Sequence, residues 1–170
     1  GTGGSCNVMV GDYAGLSGGG ASSNVAIGRE ALRANTASNN TAVGISALRN
    51  NTTGTNNVAV GREALLCNTT ANYNAALGVW ALCSNTTGRY NTGMGIAVLR
   101  ANTISNHNSG FGTDALSSTT GNVNTAMGSQ AGRYVSTGTN NTALGAYALR
   151  NGGAGSSNIA VGSLALLCNT

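Results

Sequence analysis

The sequence predicts an all-β fold, a parallel β-solenoid (β-roll) of about ten coils with 16–17 residues in each. Three observations carry this expectation. A short motif returns every 16 or 17 residues, every repeat is interrupted by glycine and by turn-forming residues, and charge is confined to a few places of the repeat.

The motif is Asn-x-Ala-apolar-Gly. Its copies begin at Asn7, Asn24, Asn40, Asn57, Asn74, Asn91, Asn108, Asn124, Asn141 and Asn158, so residues 1–170 form a single repeat array. We number places within a coil from that asparagine. A period this short is too small for the common helical-pair repeats, which need 33 residues or more, whereas solenoids of strands manage with fewer. Seventeen residues accommodate about two short strands and two turns. Ala-Leu-Leu and Arg-Glu-Ala-Leu segments have good helix propensity, but glycine and Asn-Thr turns interrupt each unit before three helical turns can form.

Place one is always Asn and place five always Gly, which fits a bend with positive φ or a close backbone approach. The second to fourth places, as in Val58-Ala59-Val60, alternate as a strand does. Segments such as Asn51-Thr52-Thr53-Gly54 supply turn chemistry on the far side of the coil. Place eight is Ala except for Val98, and place nine is Leu except for Gly15 and Gly132.

Stacking such coils lays each asparagine over the next at about 4.8 Å, so their amides can bond along the column. One ladder is expected at place one, from Asn7 to Asn158, and a second at place twelve through Asn35, Asn51, Asn68, Asn85 and Asn102. Matches to the N-glycosylation triplet, such as Asn51-Thr52-Thr53, follow from the Asn-Thr-rich repeat.

Charge gives an independent test. Eleven of the twelve charged residues fall at places six, seven or ten, and only Arg89 lies elsewhere. Burying an unpaired charge is costly. The first five places and places eight and nine are therefore expected to face a dry interior or stacked neighbours, with four and nine supplying the large core side chains. Aromatics avoid these places except for Phe111. At about 25 cal/mol per Å², this core is thin against about 1–2 kcal/mol per residue of backbone ordering. Lateral association is the expected remedy, and a threefold bundle closes it.

The overall composition excludes other classes. Charged residues are 7% and aromatics 4% of the chain, with no Lys and no Pro. Disorder favours high charge and Pro, and no apolar run approaches the roughly 20 residues of a spanning helix. No membrane insertion is expected. The segment Gly1-Thr2-Gly3-Gly4-Ser5 has no basic-then-apolar export signal.

Runs such as Val58-Ala59-Val60-Gly61-Arg62-Glu63-Ala64 and Thr142-Ala143-Leu144-Gly145-Ala146-Tyr147-Ala148 resemble the head repeats of YadA-type trimeric autotransporter adhesins. With Asn-Thr-Thr-Gly between copies, the unit is also similar to repeats of bacteriophage tail fibres. The resemblance implies a left-handed parallel β-roll, three associated chains, and a role in attachment or as a spacer, although the period here is longer than the adhesin coil. The expected setting is extracellular, on a cell surface or virion. The repeat phase runs to both ends, through Asn169-Thr170, without a polar cap. This suits a section of a longer fibre or an end-to-end filament.

Chemistry is not legible. His107 has no second histidine or clustered carboxylate beside it for a metal. Gly110-Phe111-Gly112-Thr113-Asp114-Ala115 mimics a dinucleotide fingerprint but is the ordinary repeat outside a βαβ setting. No enzyme activity and no cofactor are expected. Cys67 and Cys83, on adjacent coils, are candidates for a bridge within or between chains, and Cys6 and Cys168 for a link between subunits. Free thiols are the alternative. The net charge of +4 sits on arginines, including the Arg33–Arg49 and Arg133–Arg150 pairs. They could contact an anionic cell-surface glycan, while nucleic acid is disfavoured because no basic groove with interleaved aromatics is apparent. A self-assembling filament and an ice-binding solenoid with Thr columns are the remaining function classes.

Overall fold

The computed structural model describes residues 4–17 and 19–168, so the terminal Gly1-Thr2-Gly3 and Asn169-Thr170 segments lie outside the described residues. It is a β-solenoid. Ten three-residue strands run from β1 (Val8–Val10) and β2 (Val25–Ile27) through β3 (Thr41–Val43), β4 (Val58–Val60), β5 (Ala75–Leu77), β6 (Thr92–Met94), β7 (Ser109–Phe111), β8 (Thr125–Met127) and β9 (Thr142–Leu144) to β10 (Ile159–Val161). They form one parallel sheet in chain order. Like places pair throughout, as in Val58↔Ala75, Ala59↔Ala76 and Val60↔Leu77. Among the described residues there is no helix.

Each coil has one regular strand, not two. The second half still bonds to its neighbours, as in Leu48 N–H to Ala64 O at 3.0 Å and Thr52 N–H to Thr69 O at 2.9 Å. Regular strand geometry is broken there by left-handed residues at places seven and nine, such as Glu63 (φ 58°) and Leu65 (φ 50°). Two overlapping turns result, closed by Ala64 N–H to Gly61 O and Leu66 N–H to Glu63 O at 3.3 and 3.4 Å. A left-handed non-glycine residue costs about 1–2 kcal/mol. Fully burying a leucine returns about 1.5–3 kcal/mol, and Leu32, Leu48, Leu65, Leu82, Leu99, Leu116 and Leu149 are all buried. The inward leucine therefore offsets its own strain.

The place-five glycine has no substitute. Gly61 holds φ 129°, and a Cβ there would lie 2.5 Å from the carbonyl oxygen of Gly78. That clash is with backbone of the next coil and cannot be relieved by a rotamer.

The core is a column of alanines and leucines from places three, eight and nine, including Ala59, Ala64 and Leu65 at 0% exposure. This corrects the expected inside and outside. The large apolar residue at place four points outward: Val10, Ile27, Val60, Met94, Met127 and Val161 are 36–67% exposed, and Phe111 is half-buried. Side chains two apart along a strand share a face. With the small residue of place three inside, places two and four must both face out.

Buried asparagines close the coils. At place one, each side-chain Oδ1 accepts the backbone N–H of the next coil's asparagine, as from Asn74 to Asn57 at 3.0 Å and from Asn91 to Asn74 at 2.9 Å. At place twelve, the amides bond one another: Asn51 to Asn35 and Asn68 to Asn51 at 2.7 Å, Asn85 to Asn68 at 3.1 Å, and Asn102 to Asn85 at 3.0 Å. Place one thus ladders mainly from side chain to backbone, and place twelve from side chain to side chain.

Candidate functional surfaces

The outward sheet face is the most continuous surface. It carries Val58 and Val60, Thr92 and Met94, Thr125 and Met127, and Ile159 and Val161 side by side, with no charged residue at either place in any of the ten strands. Alternation fixes the side on which these groups sit, and parallel in-register pairing aligns them into two columns.

A second surface follows place ten, where Arg33, Arg49, Arg100, Arg133 and Arg150 come directly after a left-handed place-nine residue, Gly132 before Arg133 and leucine before the others. The expected Arg33–Arg49 pair is brought together, but around a carboxylate. Glu30 holds Arg33 Nη1 at 3.3 Å and Arg49 Nε at 3.0 Å. Arg49 Nε is buried and its N–H does not point along that contact, so this is an ion pair without a directed hydrogen bond. Arg133 and Arg150 both lie over the Tyr134 ring, at 5.0 and 5.7 Å. Arg150 Nε also donates to Gln130 Oε1 at 2.9 Å. Arg62 and Arg100, from the coils on either side, lie over the Trp80 ring at 4.8 and 5.6 Å, while Trp80 Nε1–H donates to Glu63 at 2.9 Å.

Two cavities open along this arginine column. One, of about 260 Å³, is lined by Leu16, Ser17, Arg33, Ala34, Arg49 and Asn50. The other, of about 280 Å³, lies between Arg100 and Arg133 and is floored by serines.

The residue before each place-one asparagine is also left-handed and projects outward. Here Tyr73, Tyr90 and His107 stack on three successive coils, with centroids 5.2 and 4.9 Å apart and rings nearly parallel. His107 is thus the end of an exposed aromatic column. The stack is signalled in the sequence only by the equal repeat places of the three rings, each just before a place-one asparagine.

Within this chain the four cysteines are free thiols, and Cys67 and Cys83 are not bridged to each other. Cys67 and Cys83 are adjacent, with Cys67 N–H donating to Cys83 O at 3.0 Å. Burial, and then the neighbouring Cys83, push the Cys67 thiol up. Cys6 and Cys168 are exposed. Among the described residues no three His, Cys, Asp or Glu side chains gather as a metal-binding group, and no helix is long and apolar enough to cross a membrane.

No protein-family model, no curated protein and no solved structure matches this chain.

Proposed function

We propose that the chain is a structural and adhesive section of an extracellular fibre on a cell surface or virion. Three left-handed solenoids associate side by side through the apolar sheet face, and the outer columns remain available to a cell-surface glycan. The single observation that carries this reading is the outward place-four side chain, apolar in every coil, exposed in six and half-buried in the other four, on a sheet face without charge. That face measures on the order of 40 by 10 Å from strand spacing and rise. Place four is apolar in all ten strands, while place two mixes Val, Ala and Ile with Thr41, Thr92, Ser109, Thr125 and Thr142; a continuous charge-free stripe of this kind fits an interaction surface. The similarity of the repeat to YadA-type heads and tail-fibre repeats supports three as the number of chains. In this reading the chain is not an enzyme, needs no cofactor and has no nucleic-acid partner.

Sedimentation equilibrium tests it. The expected species has three times the chain mass, and the double variant Val60→Asp, Met94→Asp gives a folded monomer with an unchanged β spectrum. A wild-type chain that stays monomeric at micromolar concentration contradicts the lateral interface. The alternative, an end-to-end filament, uses the open edges of β1 and β10. It would show as polymers whose length grows with concentration and which survive both substitutions. Thermal hysteresis in the same samples would favour the ice-binding class.

A further inference from the structure

The arginine column has a gap one coil wide. Place ten is Arg100 in one coil, Ser117 in the next and Arg133 in the coil after. Two guanidinium stems therefore stand about 10 Å apart along the axis, twice the strand spacing. Between them the short side chains of Ser117, Ser118 and Ala101 leave the cavity of about 280 Å³. This is a little under the usual range for small-molecule sites and suits a single sugar unit.

Polar groups in this notch are only partly engaged by the protein. Arg100 forms no ion pair among the described residues; its guanidinium only lies over Trp80 at 5.6 Å. Arg133 meets Asp114 loosely at 4.0 Å, and its Nε is buried without a hydrogen-bond partner. Ser117 and Ser118 commit their N–H groups to Asp114 O and Arg133 O, at 3.3 and 3.0 Å. Neither hydroxyl has a protein partner among the described residues. The notch at Arg33 and Arg49 differs, because Glu30 already engages both of its guanidiniums.

We propose that the Arg100–Ser117–Arg133 notch binds one carboxylate or sulfate group of an acidic polysaccharide. The two arginines would take the anion through charge-assisted hydrogen bonds, and the serine hydroxyls would meet neighbouring sugar hydroxyls. Asp114 leaves the site with one net positive charge, which favours a sparsely charged glycan over a polyphosphate backbone that needs many cations. Nucleic acid is further disfavoured at this notch because the nearby Trp80 and Tyr134 rings are each already engaged by two arginines, which competes with base stacking. The proposal rests on the glycan-contacting part of the function above and does not require lateral association.

The test measures Kd by calorimetry for heparin (sulfated), polygalacturonate (carboxylate only) and neutral dextran, with wild type and four variants. Arg100→Gln and Arg133→Gln are expected to weaken binding of the acidic polymer about tenfold or more. Arg49→Gln is expected to leave it unchanged. Ser117→Arg fills the gap while adding positive charge, so a built site predicts loss of binding and a general electrostatic surface predicts a gain. Preference between heparin and polygalacturonate identifies the anion. Equal losses in Arg49→Gln and Arg100→Gln, a gain in Ser117→Arg, or no binding of either acidic polymer would overturn the proposal. Dextran binding that persists in all variants would overturn the notch while leaving a glycan-contacting fibre standing. Circular dichroism of each variant separates lost binding from lost folding.

Discussion

Asn57 and Asn68 stand at two corners of one coil and donate to the same carbonyl, that of Ala71, at 2.8 and 3.1 Å. The same fork recurs at Gly54, Gly88 and Ser105. In the coils that begin at Asn40, Asn57, Asn74 and Asn91, two asparagines thus tie the turn that follows place twelve to the core, and most of their oxygens serve the adjacent coils. Replacing Asn57 by Ala removes one arm of the fork and strands the buried Asn74 N–H. A buried unsatisfied group costs about 1–3 kcal/mol. The urea midpoint of Asn57→Ala is expected to fall accordingly, while Thr70→Ala on the exposed turn moves it little.

The place-twelve ladder breaks at a definable point. Asn102 Oδ1 is buried without a partner, and so is Oγ1 of Thr119, the residue at the same place one coil on. In the other coil of like length, Asn35 occupies this place and donates to Ala37 O at 2.6 Å. Thr119→Asn is expected to supply a donor for Asn102 and a second donor to Gly121 O, raising stability by about 1 kcal/mol. A calorimetric melt that shows no rise in Tm would refute this account of the break.

Three departures from the alanine pattern form one packing event. A Cβ on Gly93 would meet Val98 Cγ1 at 2.9 Å, and one on Gly110 would meet Val98 Cγ2 at 2.6 Å. The single valine at place eight therefore occupies space that two place-three glycines leave. Gly110→Ala alone is expected to cost about 1–3 kcal/mol through overpacking, but to be neutral or stabilising in a Val98→Ala background. A double-mutant cycle reads this coupling directly, and additive effects would deny it.

Cys67 offers a pH-dependent readout. Burial disfavours its thiolate, so its pKa lies above the ordinary thiol value. At a given mildly alkaline pH it holds less of the nucleophilic form than a free thiol does. Iodoacetamide is expected to alkylate Cys67 more slowly than a cysteine-peptide reference, with the gap narrowing as pH rises through the raised pKa. Equal rates at pH 8 would contradict that burial.

The periodic parts of the fold were legible because identical places stack. Asn57, Gly61 and Leu65 recur at fixed spacing, and each meets its counterpart in the coils on either side. The polarity of the strand runs against side-chain size, since the larger residue at place four faces out and the smaller one at place three faces in. The interior between Ala59, Ala64 and Leu65 is narrow, so the larger Val58 and Val60 face out. Place three, small in all copies except Met9, was the signal for this. The single strand per coil was illegible for another reason. Nothing in a leucine announces a left-handed backbone, and the strain of Leu65 at φ 50° is offset by the core that receives its side chain. The arginine notch depended on what Glu30 and Asp114 reach, which spacing alone does not specify.

The account depends on like places lying in one line along the axis. Pulsed electron–electron resonance between spin labels at Val60→Cys and Leu144→Cys, in a background with the four native cysteines changed to Ser, measures that alignment directly. These two place-four residues sit on β4 and β9, five parallel pairings apart, so with unlabelled chain in excess a narrow distribution near about 24 Å is predicted, broadened by label tethers. A broad distribution, or a peak far from that distance, would contradict the in-register solenoid.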